Sequence, residues 1–185
     1  MKEFTRIEPT TQQTFGLKYK RIGVIKTYQA NDGQIHEFTT FYAEGARSGA
    51  VLALTSDNQV ITTYQFRAGP ERWMYDLPGG GFHDGEDAEL AALRELAEET
   101  GYVSNKVEFL GTTHGDAYTN LERFYYLATD CVPGEADLDK EEVEQGAEVR
   151  FISIAELIEY SKTDQMTDPA AVLMAYDKLK AMEGV

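Results

Sequence analysis

The stretch from Gly80 to Tyr102, GGFHDGEDAELAALRELAEETGY, restricts what this chain can fold into more than any other part of it. Leu77-Pro78-Gly79-Gly80-Gly81-Phe82 is a glycine-rich turn. A helix is predicted from about Gly85 to Thr100, with Gly101 as its C-terminal stop. At about 100° per residue, Leu90, Leu93, Leu96 and Ala97 fall on one side, which is expected to pack on a sheet. Glu95, Glu98 and Glu99 fall on the other, flanked by the small Ala88, Ala91 and Ala92. Glu95 and Glu99 are helical neighbours, and like charges at that spacing repel by a few tenths of a kcal/mol. A hard divalent cation reverses that penalty, because such ions are held by carboxylates together with substrate phosphate. Arg94, four residues before Glu98, is placed to pair with it. The bland alternative for any isolated Glu-Glu pair is a solvated acidic face.

The chain before this stretch reads mainly as strand. Leu17 to Tyr28 and His36 to Glu44 flank the hairpin signal Ala30-Asn31-Asp32-Gly33. Ala50 to Thr55 and Val60 to Arg67 are joined by Ser56-Asp57-Asn58-Gln59, and the face carrying Val60, Thr62, Tyr64 and Phe66 is the expected buried one. After the helix, Val107 to Thr112, Glu122 to Thr129 and Val149 to Ile152 read as strands. Thr113 to Asn120 and the acid-rich Asp130 to Ala147 read as loops. Ser153 caps a helix through Tyr160, and Thr167 or Asp168 caps a last helix with Pro169 in its first turn. The result is a mixed α/β chain.

Charge narrows the classes of partner. The sequence carries 17 Lys and Arg against 32 Asp and Glu, a net charge of −15. Neither nucleic acid nor an anionic membrane surface is an expected partner, since both need clustered basic residues. No apolar run approaches the ~18 residues of a membrane span, and the N-terminus lacks the apolar core of a signal peptide. Cys131 is the only cysteine. A cytoplasmic protein is the expectation. The glycine loop lacks the Gly-Lys-Ser/Thr ending of a P-loop, and His36, His83 and His114 have no zinc spacing.

The full pattern G-x5-E-x7-R-E-U-x-E-E-x-G-U, with U apolar, is met at Gly80, Glu86, Arg94, Glu95, Leu96, Glu98, Glu99, Gly101 and Tyr102. With each fixed residue at a frequency of about one in fifteen, a chance match is on the order of 10⁻⁸ per start position. The stretch resembles the signature of the Nudix hydrolases. Tyr102 departs from the usual aliphatic residue at a position that packs rather than ligates. The resemblance implies an α/β/α sandwich around a mixed sheet, with an N-terminal antiparallel strand extension. It also implies Mg²⁺- or Mn²⁺-dependent hydrolysis of a nucleoside diphosphate linked to another group. By position, Glu95 and Glu99 are the implied principal metal ligands. Glu98 assists while paired to Arg94, Glu86 ties the loop to the helix, and the Gly79 carbonyl is a further ligand.

The flanks resemble the branch that cleaves ADP-ribose and other nucleoside diphosphate sugars. Gln65-Phe66-Arg67 ends a strand before the box, and the resemblance gives Arg67 a role on the substrate phosphates; a solvated strand-end Arg is the alternative. Residues 1–48 resemble that branch's strand-rich extension, which builds a homodimer, leaving 49–185 as the hydrolase domain. The general base of that branch is a Glu in the acidic loop. Glu141, Glu142 and Glu144 are the candidates, with Glu144 favoured and Gln145 aligned closest to the expected place. The branch's usual proline after the box is replaced by Asp116 in His114-Gly115-Asp116-Ala117-Tyr118. A tyrosine here is a feature of dinucleoside polyphosphate hydrolases, the alternative function, and Tyr118 is a residue for base stacking or for packing.

Overall fold

A computed structural model describes residues 1–16, 21–134 and 146–183. The chain divides into two compact units, Met1–Arg47 with His114–Glu122, and Ser48–Thr113 with Arg123–Val185.

The first unit is a three-stranded antiparallel sheet of β1 (Phe4–Phe15), β2 (Arg21–Ala30) and β3 (Ile35–Phe41), in that order. The β2–β3 hairpin turns where Asn31, Asp32 and Gly33 predict it. Gly33 has φ 86° and donates to the Ala30 carbonyl at 2.9 Å, a conformation that excludes most side chains. Strand β1 was not foreseen; its mostly polar sequence carries no apolar alternation. The segment His114–Glu122 returns to this sheet. Phe41 donates to the Tyr118 carbonyl at 2.7 Å, and Asn120 donates to the Phe41 carbonyl at 2.8 Å. Phe4, Tyr28, His36 and Phe38 pack mostly edge to face on the sheet.

The second unit is built on β4 (Arg47–Thr55), whose neighbours are β5 (Val60–Arg67) and β9 (Glu122–Pro133). Beyond β5 lie β6 (Arg72–Asp76) and β10 (Glu148–Ile152), and beyond β9 lie β7 (Tyr102–Val103) and β8 (Lys106–Thr113). Among the described residues, three helices cover this seven-stranded sheet: α1 (Ala88–Thr100), α2 (Ile154–Lys162) and α3 (Pro169–Met182). The alternation of β4 sets the layers. Ala50, Leu52 and Leu54 pack with Leu157, Ile158, Val172, Ala175 and Leu179 of α2 and α3. Val51 and Ala53 point the other way and pack with Ala92 and Leu96 of α1. The expected α/β/α sandwich around a mixed sheet is therefore the observed one. Among the described residues no helix is long and apolar enough to cross a membrane.

Some local expectations change. In β5, Val60 to Thr63 are buried on both faces because the strand lies inside the sheet, whereas Phe66, on the face expected inside, is 49% exposed. On α1 the packing face is shifted from the expected one: Leu96 and Leu93 pack as expected, but Ala91 and Ala92 join them and Leu90 does not. Leu90 is 65% exposed, while Ala91, Ala92 and Leu96 are fully buried. The alanines do not clear space for a ligand. They let the helix axis approach the sheet, and the apparent leucine stripe partly faces out. Helix α1 starts at Ala88 because the Asp87 carboxylate accepts from the Glu89 and Leu90 amides. Ser153 forms the expected cap of α2, with Glu156 completing a capping box. Asp168 makes no side-chain cap on α3, since its carboxylate is used elsewhere.

Candidate active site

The loop between β6 and α1 is fixed to the start of the central strand. Gly49 donates to the Gly80 carbonyl at 3.0 Å and Val51 donates to the Pro78 carbonyl at 2.8 Å. Close approach is the reason for the glycines. A Cβ at position 79 would lie 2.7 Å from the Ala50 Cα and closer still to the Gly49 carbonyl oxygen. A Cβ at position 80 would lie 2.6 Å from the Glu95 carboxyl carbon. Only glycine lets the helix carboxylate lie against the loop.

Arg94 is the hub. Its Nε and Nη2 donate to the two Glu86 oxygens at 3.0 and 3.2 Å, and its Nη1 donates to Glu95 and to Glu98, each at 2.8 Å. It also reaches the Gly81 carbonyl at 3.4 Å. Glu86 in turn accepts from the His83 amide at 2.9 Å, so it ties loop to helix as the resemblance implies. Arg94 and the His83 amide hold the Glu86 carboxyl down at about 2. The three carboxylates, Glu86 foremost, hold the Arg94 guanidinium above its ordinary value despite partial burial. Glu95 is pushed the other way: removal from water raises its carboxyl, against the lowering pull of Arg94. Glu99 turns to the loop and accepts from the Gly79 amide at 3.1 Å.

The donor set fits a hard cation. Glu95, Glu98, Glu99 and the Gly79 carbonyl are all oxygen donors, gathered on one loop and one helix. Among the described residues, no three Asp, Glu, His or Cys side chains already converge on a single metal position, as Arg94 and the Gly79 amide engage the carboxylates instead.

Of the other predicted residues, Arg67 ends β5, its side chain 41% exposed, and its Nε donates to Asp76 at 2.9 Å. Tyr118 belongs to the first unit, is 59% exposed, and its amide donates to Asp116 at 2.6 Å. Glu141, Glu142, Glu144 and Gln145 lie outside the described residues. Tyr102 packs edge to face with Phe151.

Sequence reasoning missed a buried polar chain beside the loop. Asp76 and Asp168 are 1% and 4% exposed. The Thr167 hydroxyl bonds Asp76 and reaches Asp168 at 3.2 Å. Asp168 binds the Arg123 guanidinium through both oxygens, at 2.8 and 3.0 Å, and Arg123 reaches the Ser48 hydroxyl at 3.2 Å. Ser48 bridges to Gly81, so this chain ends at the glycine loop. The one sequence signal was in β6, where an acid at 76 shares the inward face with Met74.

The second unit is a three-layer sandwich with an arginine-gathered acid helix closed on a glycine loop. The NUDIX domain matches residues 45–175, and the chain belongs to that family. Members of the family generally need divalent metal ions. The chain is 30% identical over 127 residues to a methanol dehydrogenase activator of Bacillus methanolicus, spanning 67% of either chain. It is 34% identical over 113 residues to an ADP-ribose pyrophosphatase of Bacillus subtilis (strain 168), spanning 60% of this chain and 61% of that one. A solved ADP compounds hydrolase superposes with a TM-score of 0.76 at 18% identity, covering 99% of this chain and 97% of the other, which establishes the shared fold.

Proposed function

We propose that this enzyme hydrolyses the pyrophosphate bond of ADP-ribose or a related nucleoside diphosphate sugar, giving a nucleoside monophosphate and a sugar phosphate. The observation that carries the reading is the acid set Glu86, Glu95 and Glu98 gathered by Arg94, with Glu99 bound to Gly79 on the same loop. The name of the Bacillus subtilis relative supports the choice of substrate. Glu95, Glu98, Glu99 and the Gly79 carbonyl would hold Mg²⁺ or Mn²⁺. Bound there, such an ion neutralises the pyrophosphate and lowers the pKa of attacking water. Arg94 keeps Glu98 in place, and Arg67 offers its guanidinium to the phosphates. The roles of Glu144 as general base and of Tyr118 in base stacking rest on sequence resemblance alone. Residues 49–185 are the hydrolase domain in this reading. Residues 1–48 are a homodimerisation element, a role supported by the exposed Phe4, Phe15, Phe38 and Phe41 on their sheet. A cytoplasmic setting suits the lone, buried Cys131.

The test is phosphate release from ADP-ribose and Mg²⁺, with and without alkaline phosphatase. Phosphate appearing only with phosphatase is expected. No phosphate in either arm removes ADP-ribose from the substrates. Cleavage of dinucleoside polyphosphates in its place favours the second reading, which the exposed Tyr118 in a proline-free loop supports. Glu99→Gln should lose turnover while folding normally; full activity in that variant refutes the assigned site.

A further inference from the structure

Asp76 is a buried carboxylate that the fold does not explain. It lies at an inward position of β6, 1% exposed, and burial pushes its carboxyl up from the ordinary value. Ion pairs removed from water add little net stability compared with apolar packing, so stability alone is a weak reason to keep one. Its two oxygens have separate duties. Oδ2 accepts from the Arg67 Nε at 2.9 Å, and Oδ1 accepts from the Thr167 hydroxyl. A hydroxyl has one proton, and Thr167 lies closer to Asp76 than to Asp168. Asp76 is thus oriented from beneath by the residue that precedes α3 by two positions.

Arg67 forms the last register pair of β5 with β6, opposite Arg72, and its side chain is 41% exposed. A guanidinium in that position needs no buried acid to be soluble. What the acid supplies is direction. Among the described residues, Nε is the one Arg67 side-chain nitrogen with a protein partner, so the two Nη groups remain for a ligand. Those Nη groups are the fork that grips two phosphate oxygens at once.

We propose that Asp76, itself oriented by the Thr167 hydroxyl, is a positioning residue that aims the Arg67 fork at the diphosphate of the substrate. The inference rests on the reading of Arg67 as a phosphate contact given above. It adds two residues that act through Arg67 and touch no substrate.

The experiment measures the Kd of imidodiphosphate, a non-hydrolysable diphosphate, by calorimetry in Mg²⁺. The full chain is compared with Asp76→Asn, Arg67→Ala and the double variant, and each melting temperature is recorded. Asp76→Asn should weaken binding about tenfold, a change of about 1.4 kcal/mol. Arg67→Ala should weaken it at least as much, and the double variant no further than Arg67→Ala alone, because one residue acts through the other. Asp76→Asn binding as tightly as wild type, or full additivity in the double variant, overturns the proposal and makes Asp76 structural. Should Asp76→Asn fail to fold, Thr167→Val and Thr167→Ser carry the same test. Val should weaken binding and Ser should restore it; equal binding by both overturns the proposal. Wild type that binds imidodiphosphate without hydrolysing ADP-ribose refutes the substrate reading alone. Wild type that binds no diphosphate overturns the positioning role.

Discussion

The three consecutive glycines of the loop should respond to alanine in three different ways. At Gly79 the new Cβ meets backbone, 2.7 Å from the Ala50 Cα and nearer to the Gly49 carbonyl oxygen. Neither is able to swing aside, because both belong to the central strand. The loop must lift, which breaks the Gly49–Gly80 and Val51–Pro78 hydrogen bonds. Two such bonds contribute about 1 kcal/mol each, and overpacking adds about 1–3 kcal/mol. Gly79→Ala should therefore lose about 3–5 kcal/mol, or about 10 °C in melting temperature for a chain of this size. At Gly80 the three atoms nearest the new Cβ all belong to the Glu95 carboxylate, the far end of a side chain. That carboxylate moves away from Arg94, at a cost of about 0.2–1 kcal/mol for the lost pair. Gly80→Ala should melt within about 3 °C of wild type on that scale. Its turnover should fall about 10- to 100-fold, the range for disturbed metal surroundings. At Gly81 nothing lies within 4 Å, and Gly81→Ala should change neither property. Thermal unfolding by circular dichroism, with turnover on the same samples, separates the cases. Gly79→Ala melting within about 2 °C of wild type, a shift too small for the lost bonds, refutes the close-approach argument. Gly80→Ala as unstable as Gly79→Ala does so equally.

Arg94→Gln should show a pH-dependent loss of stability. The Glu86 carboxyl is held at about 2 against an ordinary 4.5, so its contribution is complete above 4.5 and fades as pH falls toward about 2. The gap in urea midpoint between wild type and variant should be widest above pH 4.5 and narrow below it; a constant gap contradicts the assignment. Asp168→Ala leaves the Arg123 guanidinium without its bidentate partner and should cost about 3–5 kcal/mol by urea unfolding. A loss under about 1 kcal/mol, the scale of a surface pair, would show that water replaces the carboxylate there. Asp87→Ala removes the acceptor for two α1 amides and should cost about 1 kcal/mol, lowering the melting temperature by about 2–4 °C. An unchanged melting temperature would mean the α1 cap is redundant.

Sequence spacing determined the helical part of the loop–helix unit. Arg94 and Glu98 meet because a four-residue separation brings side chains together on a helix, whereas Glu86 lies in the loop before α1 and its place was implied by the resemblance. The hairpin at Gly33 and the caps at Ser153 and Gly101 were legible for the same reason: each depends on a few adjacent residues. The buried face of α1 was legible only in part: Leu93 and Leu96 pack as predicted, and Leu90 does not. Leu90 and Ala92 are told apart only by the distance to β4, and the nearer helix face must carry the smaller residues. Strands β1 and β6 were invisible to pattern because their partners, not their own alternation, hold them. Asp168 shows the same limit in one residue. Its place before Pro169 predicts a helix cap, but its carboxylate binds Arg123, distant in sequence, which offers a buried acid the opposite charge that a backbone amide lacks. Local chemistry was settled by spacing along the chain, whereas the pairing of Asp76 and Asp168 with Arg67 and Arg123 was decided by tertiary structure, because buried charge takes its partner from whatever the fold brings within reach.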